Sequence, residues 1–274
     1  MTDELREKII WQNINSSIEK GKILKGKIIA METEQMKNEK IICAIVDFKG
    51  IKVMIPATQM TKDGKNDKKI LRNMMGAEIS FIVAQADRLT SKAVGSRIKA
   101  MNRLLEINYK KIESGDKVYG KVVGIWKKSL RVEVLGVDFV LTAQDLNYGF
   151  IEDISQKYII NEQIKVMITD VSNEEMKFKI SVKELLEDPF INIRKEFSEK
   201  GEYLATITGY TENGIYANIK QGIDAVCLLP TWLDRPPFIG DQVIIRISKI
   251  VPEKRRVYSS LVKIIGSDAN DRKT

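Results

Sequence analysis

The sequence predicts a mainly β protein made of three tandem five-stranded barrels, with an N-terminal helix and helical connectors. Three β-rich segments open alike at spacings of roughly 85 to 95 residues, and apolar residues alternate within each segment as in half-buried strands. A chain of 274 residues has room for two or three domains. We expect an N-terminal helix at 1–19, barrels at 20–96, 113–183 and 200–265, connectors at 97–112 and 184–199, and a flexible tail at 266–274.

Each segment contains five short apolar runs separated by turn residues. The runs open at Gly26, Gly120 and Ala205, each preceded by a further glycine turn, and the second run alternates most clearly at 130–134 and 215–219. Five strands within about 75 residues, every edge of which needs a partner, favour a closed or nearly closed antiparallel barrel of the OB type.

The connectors and the N-terminus show helical spacing instead. Apolar residues recur three and four positions apart at Ile98, Met101 and Leu105, which predicts a helix between the first two barrels. The second connector breaks at Asp188 and Pro189, because proline removes a helical hydrogen bond.

Composition excludes several kinds of active site. The chain has no histidine, which removes His-based triads, His-containing zinc sites and the usual base at neutral pH. Its two cysteines, Cys43 and Cys227, lie in apolar runs and are expected to be buried free thiols. We expect no cofactor and no membrane segment, and the first residues lack the pattern of a signal peptide, so a cytoplasmic protein is expected.

The net charge of +8 is unevenly distributed along the chain. Residues 1–110 contain 21 Lys and Arg against 13 Asp and Glu, residues 111–195 contain 13 against 14, and residues 196–274 contain 11 against 10. Basic residues on a phosphate backbone release counterions, so this excess favours a polyanionic partner.

The three segments resemble the S1 RNA-binding domain, the OB-fold family found in ribosomal protein S1. The third segment matches best, through 200–202, 213–217, 240–243 and 252–261. The second matches through 115–116, 120–122 and 179–183, and the first is divergent, with polar insertions at 32–40 and 61–69.

The resemblance implies that RNA lies across the second and third strands, stacking on aromatics and touching a basic residue of the last hairpin. In the third segment this implies Tyr216 as stacking residue and Arg255, with the adjacent Arg256, as base. Asn213 stands at the other aromatic position, and Leu228 replaces the family's histidine.

The other two segments depart further from the family pattern. In the second, Lys128 and Arg131 stand at the aromatic positions and Trp126 is the substitute for stacking. In the first, Phe48 is the aromatic candidate, with Lys52 and Arg97 among the candidate phosphate contacts. The alternatives stay open: core or hinge packing for Trp126 and Trp232, and a half-buried strand residue for Tyr216.

These features favour a non-catalytic protein that binds single-stranded RNA with low sequence specificity, associated with translation or acting as an RNA chaperone. Single-stranded DNA and the ribosome are left open as partners. The alternative is a structural or adaptor protein that uses its barrels for protein contacts in a ribosome, polymerase or viral assembly. A nuclease has no support, because the sequence contains no separate catalytic domain and no carboxylate cluster with metal-site spacing.

Overall fold

The computed structural model describes residues 3–36, 39–149, 151, 153–172, 174, 176–211, 214–229 and 237–266. The chain divides into two compact units. The first unit comprises Met1–Thr142 and Glu152–Val182, and the second comprises Ala143–Ile151 and Lys183–Thr274.

The first unit begins with a helix and a closed five-stranded barrel. Its elements are α1 (Asp3–Lys20), β1 (Leu24–Met36), β2 (Glu39–Phe48), β3 (Ile51–Pro56), α2 (Lys68–Asn73), β4 (Glu78–Asp87) and β5 (Lys92–Ser96). The strands pair in the order β1-β2-β3-β5-β4 and the barrel closes. Trp11 and Ile14 of α1 are buried in the same apolar cluster as Phe81 at the barrel core, so the N-terminal helix packs on the barrel.

The second sheet of this unit has the same strand order but is not closed. After α3 (Arg97–Tyr109) come β6 (Lys117–Ile125), β7 (Ser129–Val134), β8 (Val137–Thr142), β9 (Gln163–Ser172) and β10 (Lys177–Ser181). The order is β10-β9-β6-β7-β8, and in the described residues β8 and β10 do not pair. The rings of Phe139 and Phe178 lie 5.1 Å apart and join these two strands by side-chain contact.

Helix α3 joins the first barrel to the second sheet through very close packing. A Cβ placed on Gly136, in the turn before β8, would lie 2.4 Å from the backbone nitrogen of Leu105 and 2.5 Å from the backbone oxygen of Met101. Gly136 also has φ +91°, so this turn needs glycine both for its backbone angle and for its contact with α3.

The second unit contains the third barrel, which is closed. Its elements are α4 (Ala143–Leu146), α5 (Ile193–Glu196), β11 (Glu202–Thr211), β12 (Gly214–Lys220), β13 (Ile223–Leu228), β14 (Gln242–Val251) and β15 (Arg256–Gly266), in the order β11-β12-β13-β15-β14. The second connector is less helical than its length suggests: α5 has four residues and begins after Pro189, which is consistent with a helix break there. The mainly β fold of five-stranded, barrel-type sheets is confirmed.

A shared irregularity relates the three sheets residue by residue. The first strand of each carries an extra residue opposite its second strand, between Ile28 and Ala30, Val122 and Gly124, and Ile207 and Gly209. Immediately after this bulge, the partner on the second strand is Ile45, Arg131 and Tyr216, respectively. These three residues therefore hold equivalent positions.

Both cysteines are free and buried, as expected from the sequence. Burial raises the pKa of the Cys43 thiol to about 11 and also raises the pKa of Cys227. Over the ranges described above, no helix has the length and hydropathy needed to cross a membrane. Within the same ranges, no three His, Cys, Asp or Glu residues are grouped so that they could hold a metal ion.

Candidate nucleic-acid interface

Two tyrosines lie in one row across the outer face of the third barrel. Tyr216 on β12 pairs with Val226 on β13, and Val226 pairs with Tyr258 on β15. Tyr216 is 42% exposed, whereas its neighbours in sequence, Ile215 and Ala217, point into the core. The row therefore presents two aromatic rings on either side of a small aliphatic residue.

A polar row lies directly beside the aromatic one. Asn218 on β12 pairs with Asp224 on β13, and Arg256 precedes the paired residue Val257 on β15. Asn218 Nδ2 donates a hydrogen bond of 2.9 Å to Asp224 Oδ1. This hydrogen bond thus fixes the Asp224 carboxylate beside the aromatic row.

Positive charge surrounds Tyr258. Its hydroxyl is hydrogen-bonded with Arg256, and this bond, with the nearby charges of Arg256, Lys254 and Lys249, lowers the pKa of Tyr258. Lys249 is the direct partner of Tyr258 on β14. Aromatic rings with adjacent cations are the combination that holds single-stranded nucleic acids, since bases stack on the rings and phosphates pair with the cations.

The aromatic row, with Asp224 and Arg256 of the polar row, lines a cleft of about 440 Å³, which we call the third-barrel cleft. Its lining residues are Tyr148, Phe190, Tyr216, Gly222, Asp224, Val226, Arg255, Arg256 and Tyr258. Tyr148 comes from the segment between β8 and β9, and Phe190 from the second connector. Segments outside the barrel sequence therefore add aromatic walls to its face.

Arg255 is held in contacts within the second unit. Its guanidinium carbon lies 4.6 Å from the Tyr148 ring centre and 4.7 Å from the Phe190 ring centre, and Nη1 donates to Asp188 Oδ2 at 2.5 Å. The residue has φ +52° at the turn of the last hairpin. Of the two arginines expected to touch RNA, Arg256 lies beside the tyrosine row, and Arg255 fastens Tyr148 and the connector to the hairpin.

Three further residues of the third segment were discussed in the sequence analysis. Leu228, at the position of the family's histidine, lies on the outer face and is 59% exposed. Asn213 and Trp232 fall outside the described residues.

In the first barrel, the candidate aromatic residue Phe48 is not available for stacking on a base. Phe48 is 6% exposed and packs edge-on against Phe81, with 6.0 Å between ring centres, so the prediction of Phe48 as a stacking residue is corrected. The positions equivalent to the tyrosine row are occupied by Ile45, Met54 and Val94.

The candidate basic residues of the first barrel also have other partners. Lys52 Nζ lies 2.5 Å from Glu32 Oε2, and the lysine side chain is 32% exposed. Arg97 is 1% exposed, which corrects its prediction as a phosphate contact. Its guanidinium donates to Asp138 and Glu133 on the second sheet and to the Met60 carbonyl.

On the equivalent face of the second sheet, this arginine binds two carboxylates. Arg97 Nη1 donates to Asp138 Oδ2 at 2.6 Å, and Nη2 to Asp138 Oδ1 at 2.7 Å and to Glu133 Oε2 at 2.8 Å. Arg131, at the position of Tyr216, pairs with Asp138 at 3.3 Å. Its side chain is only 12% exposed, so its prediction as an RNA contact is corrected as well.

Burial alone would raise the pKa of Asp138 and lower that of Arg97. The charges and hydrogen bonds of the network overcome both effects: the pKa of Asp138 is lowered and that of Arg97 is raised. Arg97 and Asp138 therefore form an ionised pair, which joins the first barrel to the second sheet.

Trp126 and Lys128 lie beside the turn between β6 and β7. Trp126 is half-buried, with the Arg131 guanidinium 5.8 Å from its ring centre, and Lys128 is exposed. The structure does not bring either of them together with a second exposed aromatic on that face in the described residues.

The sequence reasoning missed six of the residues that line the third-barrel cleft: Tyr148, Phe190, Gly222, Asp224, Val226 and Tyr258. Tyr258 and Asp224 lie on strands whose alternation points them outward, because their neighbours Val257 and Ala225 are buried; that signal was present in the sequence. Tyr148 is distant from the barrel in sequence, and no local pattern marks it.

Comparison with known proteins shows what the chain is similar to. Residues 111–183 match the model of the S1 RNA binding domain. The chain is 24% identical over 224 residues to the small ribosomal subunit protein bS1 of Pseudomonas aeruginosa, covering 77% of this chain and 40% of that protein. It is 23% identical over 233 residues to a 4-hydroxy-3-methylbut-2-enyl diphosphate reductase of Clostridium acetobutylicum, covering 80% of this chain and 36% of that protein.

The chain spans less than half the length of these curated relatives. Among solved structures, a multidomain protein with nucleic acid binding domains from Streptococcus pneumoniae is similar at 11% identity, with a TM-score of 0.20, over 88% of this chain and 73% of that one. Residues 111–183 are therefore similar to the S1 RNA binding domain, and the chain resembles ribosomal protein S1.

Proposed function

We propose that this chain, which resembles ribosomal protein S1, binds single-stranded RNA without catalysing a reaction. In this proposal the third-barrel cleft makes the principal contact with the RNA. The carrying observation is the row of Tyr216, Val226 and Tyr258 with Arg256 beside it. Two rings offer stacking to any base, and the cations next to them offer partners to phosphates.

The contrast with the other two sheets supports this assignment. The same row is formed by Ile45, Met54 and Val94 in the first barrel. In the second sheet the residue equivalent to Tyr216 is Arg131, which pairs with Asp138 in the network around Arg97. In this proposal the first unit is a rigid spacer whose basic surface adds attraction for the RNA backbone.

Several finer points belong to the proposal. Low sequence preference along most of the bound strand, a cytoplasmic location and attachment to ribosomes accompany it, as the names of the ribosomal relatives suggest. The reductase name belongs to proteins of which this chain spans 36% and 47%, so we assign no reductase chemistry to it.

The test is fluorescence anisotropy with a labelled, unstructured RNA at about 50 mM salt. We expect Tyr216→Ala and Tyr258→Ala each to weaken binding about tenfold, since one stacked base contributes about 1–3 kcal/mol. Tyr119→Ala is the matched control, because Tyr119 is 64% exposed on β6 in the other unit.

Absence of binding to any single-stranded RNA would overturn the proposal. Equal losses in the Tyr119 and Tyr216 variants would also overturn the assignment to the third-barrel cleft. Parallel titrations with single-stranded DNA of the same sequence measure whether the sugar contributes.

A further inference from the structure

Asp224 and Asp138 occupy the same place in two different sheets. Asp138 pairs with Glu133, two residues beyond Arg131, and Asp224 pairs with Asn218, two residues beyond Tyr216. Because the bulge on the first strand makes Arg131 and Tyr216 equivalent, the two aspartates are equivalent as well.

In the second sheet, the aspartate at this position, Asp138, binds a planar group that donates two parallel hydrogen bonds. The Arg97 guanidinium reaches both oxygens of Asp138, at 2.6 and 2.7 Å. This fork of two N–H donors on one carboxylate is a strong and geometrically specific pairing.

In the third barrel the equivalent carboxylate faces the cleft instead. Asp224 Oδ1 accepts from Asn218 and, at 3.5 Å, from Thr208. Among the residues that the structure describes, no Lys or Arg forms an ion pair with Asp224. A carboxylate beside phosphate-binding cations repels phosphate, which leaves hydrogen bonding to a base as its favourable use.

We propose that Asp224 reads guanine in the third-barrel cleft, an inference that rests on the proposed RNA binding. The Watson–Crick edge of guanine carries an N1–H and an N2 amino group side by side, a planar donor pair like the guanidinium that fills the equivalent site. Adenine and cytosine offer one amino group next to an acceptor, and uracil offers one N–H between two carbonyls that a carboxylate repels.

The aromatic row completes the site. Adjacent strands lie about 4.8 Å apart, so the backbones at Tyr216 and Tyr258 are roughly 10 Å apart with Val226 between them. A guanine stacked on either ring can direct its edge toward the neighbouring polar row, where Asp224 lies. A preference for guanine at this one position is compatible with low sequence preference along the rest of the bound RNA.

The test compares uridine oligonucleotides that carry one central guanosine, inosine, adenosine or uridine, by anisotropy with the full chain. We expect the guanosine oligonucleotide to bind about tenfold more tightly than the uridine one, as for a bidentate base contact. Inosine, which lacks the 2-amino group but keeps N1–H, should be intermediate. Equal binding of all four would overturn the base reading while leaving RNA binding intact, and no binding of any would overturn the proposed function itself.

Two variants separate base reading from charge. Asp224→Asn removes the paired acceptors but keeps a group that can accept from Asn218, so it should abolish the preference for guanosine over uridine. Glu253→Gln, an exposed residue of the last hairpin, removes one negative charge outside the cleft and should tighten all four oligonucleotides alike. A guanosine preference that survives in Asp224→Asn would contradict the proposal.

Discussion

Arg97 at the start of α3 donates hydrogen bonds to both carboxylate oxygens of Asp138 on β8, 41 residues away along the chain. The arginine is 1% exposed and the aspartate side chain 13%. The first barrel and the second sheet are therefore joined by a buried ion pair that also occupies the face on which the third barrel carries its tyrosines.

Replacement of Arg97 by alanine should destabilise the first unit. The change leaves Asp138 and Glu133 buried without their cation, a loss of about 3–5 kcal/mol in the free energy of unfolding. Urea denaturation measures it, with Lys99→Ala as the control because Lys99 is exposed on the same helix. An equal effect of the two substitutions would show that the ion pair contributes nothing specific.

The same ion pair predicts that the stability of the first unit depends on pH. The folded-state pKa of Asp138 is lowered, so its contribution is complete above the unfolded-state value of about 3.9 and is lost as the pH falls through the folded-state pKa. The stability difference between the wild type and Asp138→Asn should be constant from neutral pH to about 5 and shrink below about 4. A difference that stays constant down to the lowest measurable pH would contradict this reading.

Gly136 and Gly115 provide a matched pair for the packing against α3. Both have positive φ, +91° and +94°, but a Cβ on Gly115 would meet nothing within 4 Å. Gly115→Ala should cost about 1–2 kcal/mol from backbone strain alone. Gly136→Ala should cost clearly more in thermal or urea unfolding, because its Cβ overlaps the α3 backbone, and equal costs would contradict that explanation.

The neighbouring arginines of the last hairpin should separate stability from binding. Arg255→Ala removes the contacts with Tyr148, Phe190 and Asp188 and should lower the stability of the second unit by about 1–2 kcal/mol. Arg256→Ala should leave stability nearly unchanged and reduce the salt slope of RNA binding by about one. Unfolding curves and salt titrations on both variants check this, and the reverse pattern would exchange the two roles.

The periodicity of the sequence was sufficient to predict the sheets, because turn residues and alternating apolar positions are local signals. The same alternation could have placed Phe48 inward, since Asp47 beside it is exposed and Val46 is buried. It could also have placed Tyr258 outward.

Long-range partners could not be predicted in this way. Arg97 counted as a phosphate contact because nothing near it in the sequence names Asp138 or Glu133 as its partners. The position of Tyr148 beside Arg255 depends on how a distant segment packs. Tertiary contacts also decide that β8 and β10 do not pair within the described residues.

Ultraviolet cross-linking of bound single-stranded RNA, with the modified peptides located by mass spectrometry, tests the central claim most directly. The third-barrel cleft predicts cross-links on the β12 and β15 peptides that contain Tyr216 and Tyr258. Cross-links confined to residues 1–110, where the excess of basic residues lies, would contradict it.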